Sequence, residues 1–176
     1  MSQQLDLVVV RAQRGDRQAF YQIYQEHVGR VYAVCWRLLG DRQKAEDAAQ
    51  EIFIKVWEAL PDFKGDSSLA TWLRSIATRT AIDLWRKDKR LHFVDAQDFV
   101  ADIDRQGGEQ GMDGENRDLE MAIQRLPTQA RAVFILCALE GYQHNEIADL
   151  LQIAEGSSKA QYHRARTLLR GFLSED

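Results

Sequence analysis

Proline stands at only two positions in 176, Pro61 and Pro127. Proline is the strongest helix breaker, so long stretches of this chain run without one. Those stretches are rich in Ala, Leu, Gln and Arg, which all favour helix. Apolar residues recur at three- and four-residue spacings, the period of an amphipathic helix. An all-α fold is therefore expected.

The two prolines and several Gly and Asp residues divide the chain. A short helix is expected over 5–14, with Leu5, Val8 and Val9 on its apolar side. Asp16 is a good N-cap for a helix through Ala19, Phe20, Ile23 and Tyr24. A separate helix over 27–39 carries Val31, Val34, Cys35 and Leu38, and Gly40 ends it. Asp41 caps the next, running to Leu60 through Ala45, Ala48, Ala49, Ile52, Phe53, Val56 and Trp57, and Pro61 stops it. Residues 62–68, DFKGDSS, read as a loop. A long helix follows to about Arg90. After 115 the pattern returns: a helix at 116–125, another opened by Pro127 and broken at Glu140-Gly141, a short one at 144–151, a turn at 152–155, and a last helix from Gly156 to Leu173.

Charge sharpens the division. The chain has 23 basic and 27 acidic side chains, a net of −4, which taken whole argues against a nucleic-acid binder. The excess is local. Residues 1–95 hold 15 basic and 13 acidic groups, residues 96–120 hold 2 and 8, and residues 121–176 hold 6 and 6. The acidic stretch also carries four glycines and has no sustained period. It reads as a flexible linker over 96–115 joining two small helical modules, 1–95 and 116–176.

Several function classes find no support. No stretch of 18 apolar residues exists, so no membrane-inserted helix is expected. Residues 1–6 have neither the basic start nor the apolar core of a secretory leader. Cys35 and Cys137 lie in apolar helical patterns, which suits two buried thiols in a reducing cytoplasm better than a redox pair. His27, His92, His144 and His163 are scattered and make no metal spacing. There is no glycine-rich phosphate loop and no paired-carboxylate site. No metal, cofactor or enzymatic activity is expected.

Three constellations remain. The first is 144–170: a short helix, a tight turn and a longer helix, the proportions of a helix-turn-helix. Ile147, Ala148 and Leu151 face inward, with Tyr162, Ala165 and Leu169 from the second helix. Lys159, Gln161, His163, Arg164, Arg166 and Arg170 stay on more exposed sides. Such side chains suit a DNA groove; a plain helix pair with a solvated basic face fits equally. The second is 71–92, with six Lys or Arg against two acids and with Trp72 and Trp85 interleaved. Cations among aromatics suit melted nucleic acid, or simply a solvated helix end. The third is the helix at 41–60, where Glu46, Asp47, Gln50 and Glu51 adjoin Phe53, Ile54 and Trp57. It reads as a partner-docking face or as an ordinary amphipathic helix.

In combination these residues resemble a known family. AEDAAQEIFIKVWEALPDFKGDSSLATWLRSIATRTAIDLWRKDKR (45–90) resembles region 2 of the extracytoplasmic-function (ECF) sigma factors of bacterial RNA polymerase. LPTQARAVFILCALEGYQHNEIADLLQIAEGSSKAQYHRARTLLRGFL (126–173) resembles their region 4. The resemblance implies a sigma factor in transcription initiation and stress-type regulation, with core RNA polymerase and promoter DNA as partners. A further implied partner is an anti-sigma protein, often membrane-anchored, that holds a cytoplasmic factor inactive at the inner membrane.

By position, Glu46, Asp47, Gln50, Glu51 and Phe53 are implied to dock on the polymerase. Asp62, Lys64, Gly65, Ser67 and Ser68 are implied to capture a flipped −10 base. Trp72, Arg74, Arg79, Arg86 and Lys87 are implied to contact the −10 strand and upstream duplex. Ser157, Ser158, Lys159, Gln161, Tyr162, His163, Arg164 and Arg166 are implied to read the −35 element. A stand-alone helix-turn-helix regulator is the alternative, and it would not need the helix at 41–60.

The last helix departs from the family, whose usual start is Gly-Thr-Val-Lys-Ser-Arg. Here it is Gly156-Ser157-Ser158-Lys159-Ala160-Gln161. Ser157 is expected to cap the helix. Ser158 replaces an apolar core residue and is expected to loosen the turn by about 1 kcal/mol. Gln161 replaces an arginine that commonly meets DNA, and Arg79 stands where Asn is usual.

Overall fold

A computed structural model describes residues 6–91 and 114–174, and all its regular elements are helical. The expected 96–115 linker lies outside the described residues, apart from the helical start at Gly114. The helices are α1 (Leu7–Gln13), α2 (Arg17–Leu39), α3 (Arg42–Ala59), α4 (Leu69–Leu91), α5 (Gly114–Gln124), α6 (Thr128–Phe134), α7 (His144–Leu151) and α8 (Glu155–Ser174). The chain divides into two compact units, Met1–Leu84 and Trp85–Asp176, so the division falls within α4.

In the first unit, local chemistry sets the helix starts. Asp6 accepts from the Val8 amide at 3.1 Å and opens α1. Asp16 accepts from the Gln18 and Ala19 amides at 2.9 and 3.1 Å and opens α2. Asp41 accepts from the Lys44 amide at 2.8 Å and opens α3. Each satisfies amides that lack an intrahelical partner. Gly40 ends α2 in the left-handed conformation (φ 67°).

The two helices expected at 16–24 and 27–39 are one. α2 runs unbroken for 23 residues. Nothing between them stops it: Gly29 is exposed mid-helix, a cost of about 1 kcal/mol that the buried face of Ile23, Val31, Val34 and Leu38 outweighs. The core adds Ile52, Val56 and Leu60, all fully buried, from α3 and the turn after it. Cys35 is also fully buried, and burial pushes its thiol up to about 12.

In the second unit, Ile123, Val133, Ile135, Leu136 and Ile147 form a fully buried centre. After α6 the backbone widens into a π-helical turn, Ile135–Leu139, closed by the Glu140 amide on the Ile135 carbonyl at 3.0 Å. This turn was not foreseen. Gly141 (φ 76°) then redirects the chain toward α7, as the Glu140-Gly141 pair suggested. α7 closes with Gln152 in the left-handed region (φ 56°), and the Ile153 amide bonds back to Ala148 at 3.0 Å. Cys137 is half-buried rather than buried, and desolvation raises its thiol pKa.

Candidate nucleic-acid and polymerase interfaces

On α3, helical spacing separates two sides. Asp47, Gln50 and Ile54 are exposed, and Glu46 and Glu51 are half-exposed. Ile54 is 60% accessible, an unusual position for a large apolar side chain. The acids are braced along the helix: Glu46 by Arg42 at 3.0 Å, Glu51 by Lys55 at 3.0 Å, and Asp47 by the Gln43 amide at 3.0 Å. Phe53 does not share this face. It is 5% accessible and meets Tyr24 of α2 edge-on at 4.8 Å. Its expected role as a docking contact does not match its burial. Ile54, one residue on, is the apolar group that the face presents.

The loop between α3 and α4 is built on anchors. Phe63 is buried, with its ring 4.9 Å from that of Trp72, which is half-buried on α4. Gly65 is buried with φ 75°, a conformation that a side chain would strain. Ser68 accepts from the Thr71 amide at 3.1 Å and so caps α4. Asp62, Lys64 and Ser68 are exposed and Ser67 is half-exposed. On α4, Arg74, Arg79 and Lys87 are exposed and Arg86 is half-exposed.

α7 and α8 form a helix-turn-helix. Ile147, Ala148 and Leu151 are buried against Ser158, Ala165 and Leu169 of α8. Lys159, His163, Arg166 and Arg170 are exposed at i, i+4, i+7 and i+11, a continuous basic stripe. Ser157 and Arg164 are exposed beside it. Lys159 pairs with Glu155 at 2.9 Å, which lowers the Glu155 pKa.

Three expectations for α8 need correction. The helix starts at Glu155, so Ser157 lies inside its first turn and is not the cap. Ser158 is completely buried and faces the helix crossing, where DNA cannot reach it. Nor is it a loose substitute for an apolar residue. Its hydroxyl lies 2.9 Å from Nδ1 of His144, so the buried polar group has a partner. Tyr162 and Gln161 are half-buried. Tyr162 stacks on Phe134 at 6.1 Å and meets His144 edge-on at 5.6 Å. The Gln161 side-chain oxygen is buried without a hydrogen-bond partner. His144 was not singled out from sequence, because its partner lies 14 residues away.

The helix-turn-helix alone would fit many DNA binders; the match of the first unit decides between them. Residues 23–91 match the family described as Sigma-70 region 2, and residues 116–169 match Sigma-70, region 4. The ECF RNA polymerase sigma factor SigW of Bacillus subtilis is 30% identical over 174 residues, covering 92% of each chain. The RNA polymerase sigma-H factor of Pseudomonas aeruginosa is 34% identical over 170 residues, covering 90% of this chain and 88% of that one. The chain belongs to the sigma-70 family, among the ECF sigma factors.

Solved structures agree. The Bartonella quintana sigma factor RpoE, in complex with the anti-sigma factor NepR, superposes with a TM-score of 0.58 at 25% identity, over 89% of this chain and 98% of that one. CnrH, in complex with the cytosolic domain of CnrY, gives 0.52 at 25% identity, over 97% of each chain. The stand-alone regulator is set aside, since this sigma factor carries region 2 as well. No helix among the described residues is long and apolar enough to cross a membrane.

Proposed function

We propose that this ECF sigma factor confers promoter specificity on core RNA polymerase and helps melt the −10 region, performing no chemistry of its own. The observation that carries the reading is the presence of both sigma regions, in order, on one chain. Modules spanning 1–95 and 116–176, joined by the acidic 96–115 segment, act on the −10 and −35 elements respectively.

Asp47, Gln50, Ile54, Glu46 and Glu51 on α3 form the polymerase-docking face: an exposed apolar residue ringed by acids, with Phe53 supporting it from beneath. Asp62, Lys64, Gly65, Ser67 and Ser68 form the loop that captures an unstacked base. Trp72, Arg74, Arg79, Arg86 and Lys87 hold the strand beside it, by charge and by aromatic surface. On α8, Lys159, His163, Arg164 and Arg166 meet the −35 duplex with Ser157, while Gln161 and Tyr162 flank them.

An anti-sigma protein that covers these surfaces is the regulatory partner, and one anchored in the inner membrane would hold this cytoplasmic factor there. The structural relative RpoE, crystallised with the anti-sigma factor NepR, supports that reading.

Run-off transcription from its own promoters by core polymerase should depend on added protein. The absence of stimulation on every cellular promoter would sink the proposal. Arg166→Ala should weaken binding to the −35 duplex and reduce the salt slope by about 1, measured as affinity against ionic strength.

A further inference from the structure

The side-chain amide of Gln13, the last residue of α1, reaches across to the turn that follows α3. Its nitrogen donates to the Leu60 carbonyl at 3.0 Å and to the Phe63 carbonyl at 2.8 Å. The two bonds use both of its hydrogens. They bracket the turn Leu60–Asp62 and end at the peptide that leads into Lys64 and Gly65. We propose that Gln13 is a positioning residue for −10 recognition, holding the 62–68 loop in its base-accepting shape from a helix outside the matched region 2 segment. The inference rests on the base-capture role proposed above for that loop.

Two features make Gln13 more than a chance contact. The first is how α1 itself is held. Arg11 donates to Asp16 through Nε at 2.9 Å and Nη2 at 2.6 Å, while the other oxygen of the same carboxylate caps α2. The turn between the helices uses Gly15 at φ 88°, and the Asp16 amide bonds back to the Arg11 carbonyl at 3.1 Å. The end of α1 is thus tied to the start of α2, and Gln13 sits inside that tie.

The second is what the grip accomplishes. The Leu60 carbonyl already accepts the Phe63 amide at 3.1 Å, so Gln13 adds a second donor to a closed turn. The Phe63 carbonyl accepts the second hydrogen of the Gln13 amide, and Phe63 is itself held through its ring on Trp72. Entry to the loop is therefore fixed from α1 on the backbone side and from α4 on the side-chain side. The exit is fixed by the Ser68 cap. The arc from Lys64 to Ser67 is what remains to shape itself around a base. Apolar packing alone is non-directional, whereas two hydrogen bonds from one planar amide set the orientation of the peptide before Lys64.

The test is a cycle between the protein and its promoter. Full-length protein, as wild type, Gln13→Leu or Gln13→Asn, is combined with core polymerase. Open complexes are measured on an intact promoter and on one with an abasic site at the captured −10 position. Gln13→Leu leaves both carbonyls without the amide, and open complexes on the intact promoter should fall roughly tenfold. Gln13→Asn keeps the amide on a shorter arm and should fall between the two. The abasic site should cost wild type clearly more than it costs Gln13→Leu, because a misplaced loop gains less from the base. Polymerase affinity should stay level.

Equal abasic penalties in wild type and both variants would overturn the inference, even if activity drops, because that pattern is a general structural loss. Wild-type activity in both variants would overturn it as well. An absence of any abasic penalty with Gln13 intact would instead overturn the base-capture role of the loop, and the inference with it. Gln13→Asn keeps the cycle decisive if Gln13→Leu fails to fold.

Discussion

The two DNA-facing surfaces proposed here are held in place by different physics. In the second unit the surface is the outer side of a helix whose inner side is the core. Lys159, His163, Arg166 and Arg170 ride on the same α8 that buries Ser158, Ala165 and Leu169. Whatever moves the core side moves the basic stripe, because both are projections of one rigid rod. In the first unit the surface is a loop, and a loop has no rod behind it. Its shape comes from discrete anchors: the Gln13 amide on two carbonyls, Phe63 on Trp72, Gly65 in the left-handed region and the Ser68 cap. A reading helix is thus as stable as its module, while a capture loop can be loosened without unfolding anything.

Truncating the two cores sharpens that contrast most. Ile52→Ala and Ile147→Ala each empty a fully buried site and should cost about 2–5 kcal/mol, measured by denaturant unfolding. Ile147→Ala should abolish −35 duplex binding in step with loss of helix content. Ile52→Ala should lower hydrogen-exchange protection across α2 and α3. If −35 binding survived a melted α7–α8 pair, the view of α8 as one rod would fail.

A smaller effect isolates the polar contact in the helix crossing. Ser158→Ala removes the partner of the His144 ring nitrogen without opening a large cavity, and should cost about 1 kcal/mol in thermal unfolding. Combined with His144→Ala, the second loss should be much less than additive. Additive losses would show that Ser158 and His144 do not act together.

The smallest effect concerns acid. The Ala19 amide and the Arg11 guanidinium hold the Asp16 carboxyl below its ordinary pKa. The folded state therefore favours the ionised form. The associated stability is present above the ordinary carboxylate range and is lost as pH falls through the lower native value. Asp16→Asn should flatten the pH dependence of unfolding below about pH 4. An unchanged acid limb would show that the Arg11–Asp16 tie does not support α1.

Much of this fold was readable residue by residue, since its signals are local. Asp16, Asp41 and Gly40 mark helix ends through bonds that span only a few residues. The two helices read over 16–39 are a single α2, because nothing between them breaks a helix strongly enough to offset its buried face. The π turn at Ile135–Leu139 has no sequence signature of its own, and its residues read as ordinary helix. For the sites, residue type alone does not give the side of a helix on which a residue sits. Phe53 shares the helical period of Ala45, Ala49, Ile52 and Val56, and its packing on Tyr24 turns it inward while Ile54 beside it stays exposed.

By itself the amino-acid sequence determined an all-α chain with two helical modules, several of its helix ends, and the family to which it belongs. Those follow from spacing, backbone preference and motif, which act over one or two turns. The tertiary structure alone decided that Ser158 is buried against His144, and that Gln13 grips carbonyls 47 and 50 residues away. A hydrogen bond is satisfied by whatever the fold brings within about 3 Å, and no local pattern records which distant group that will be.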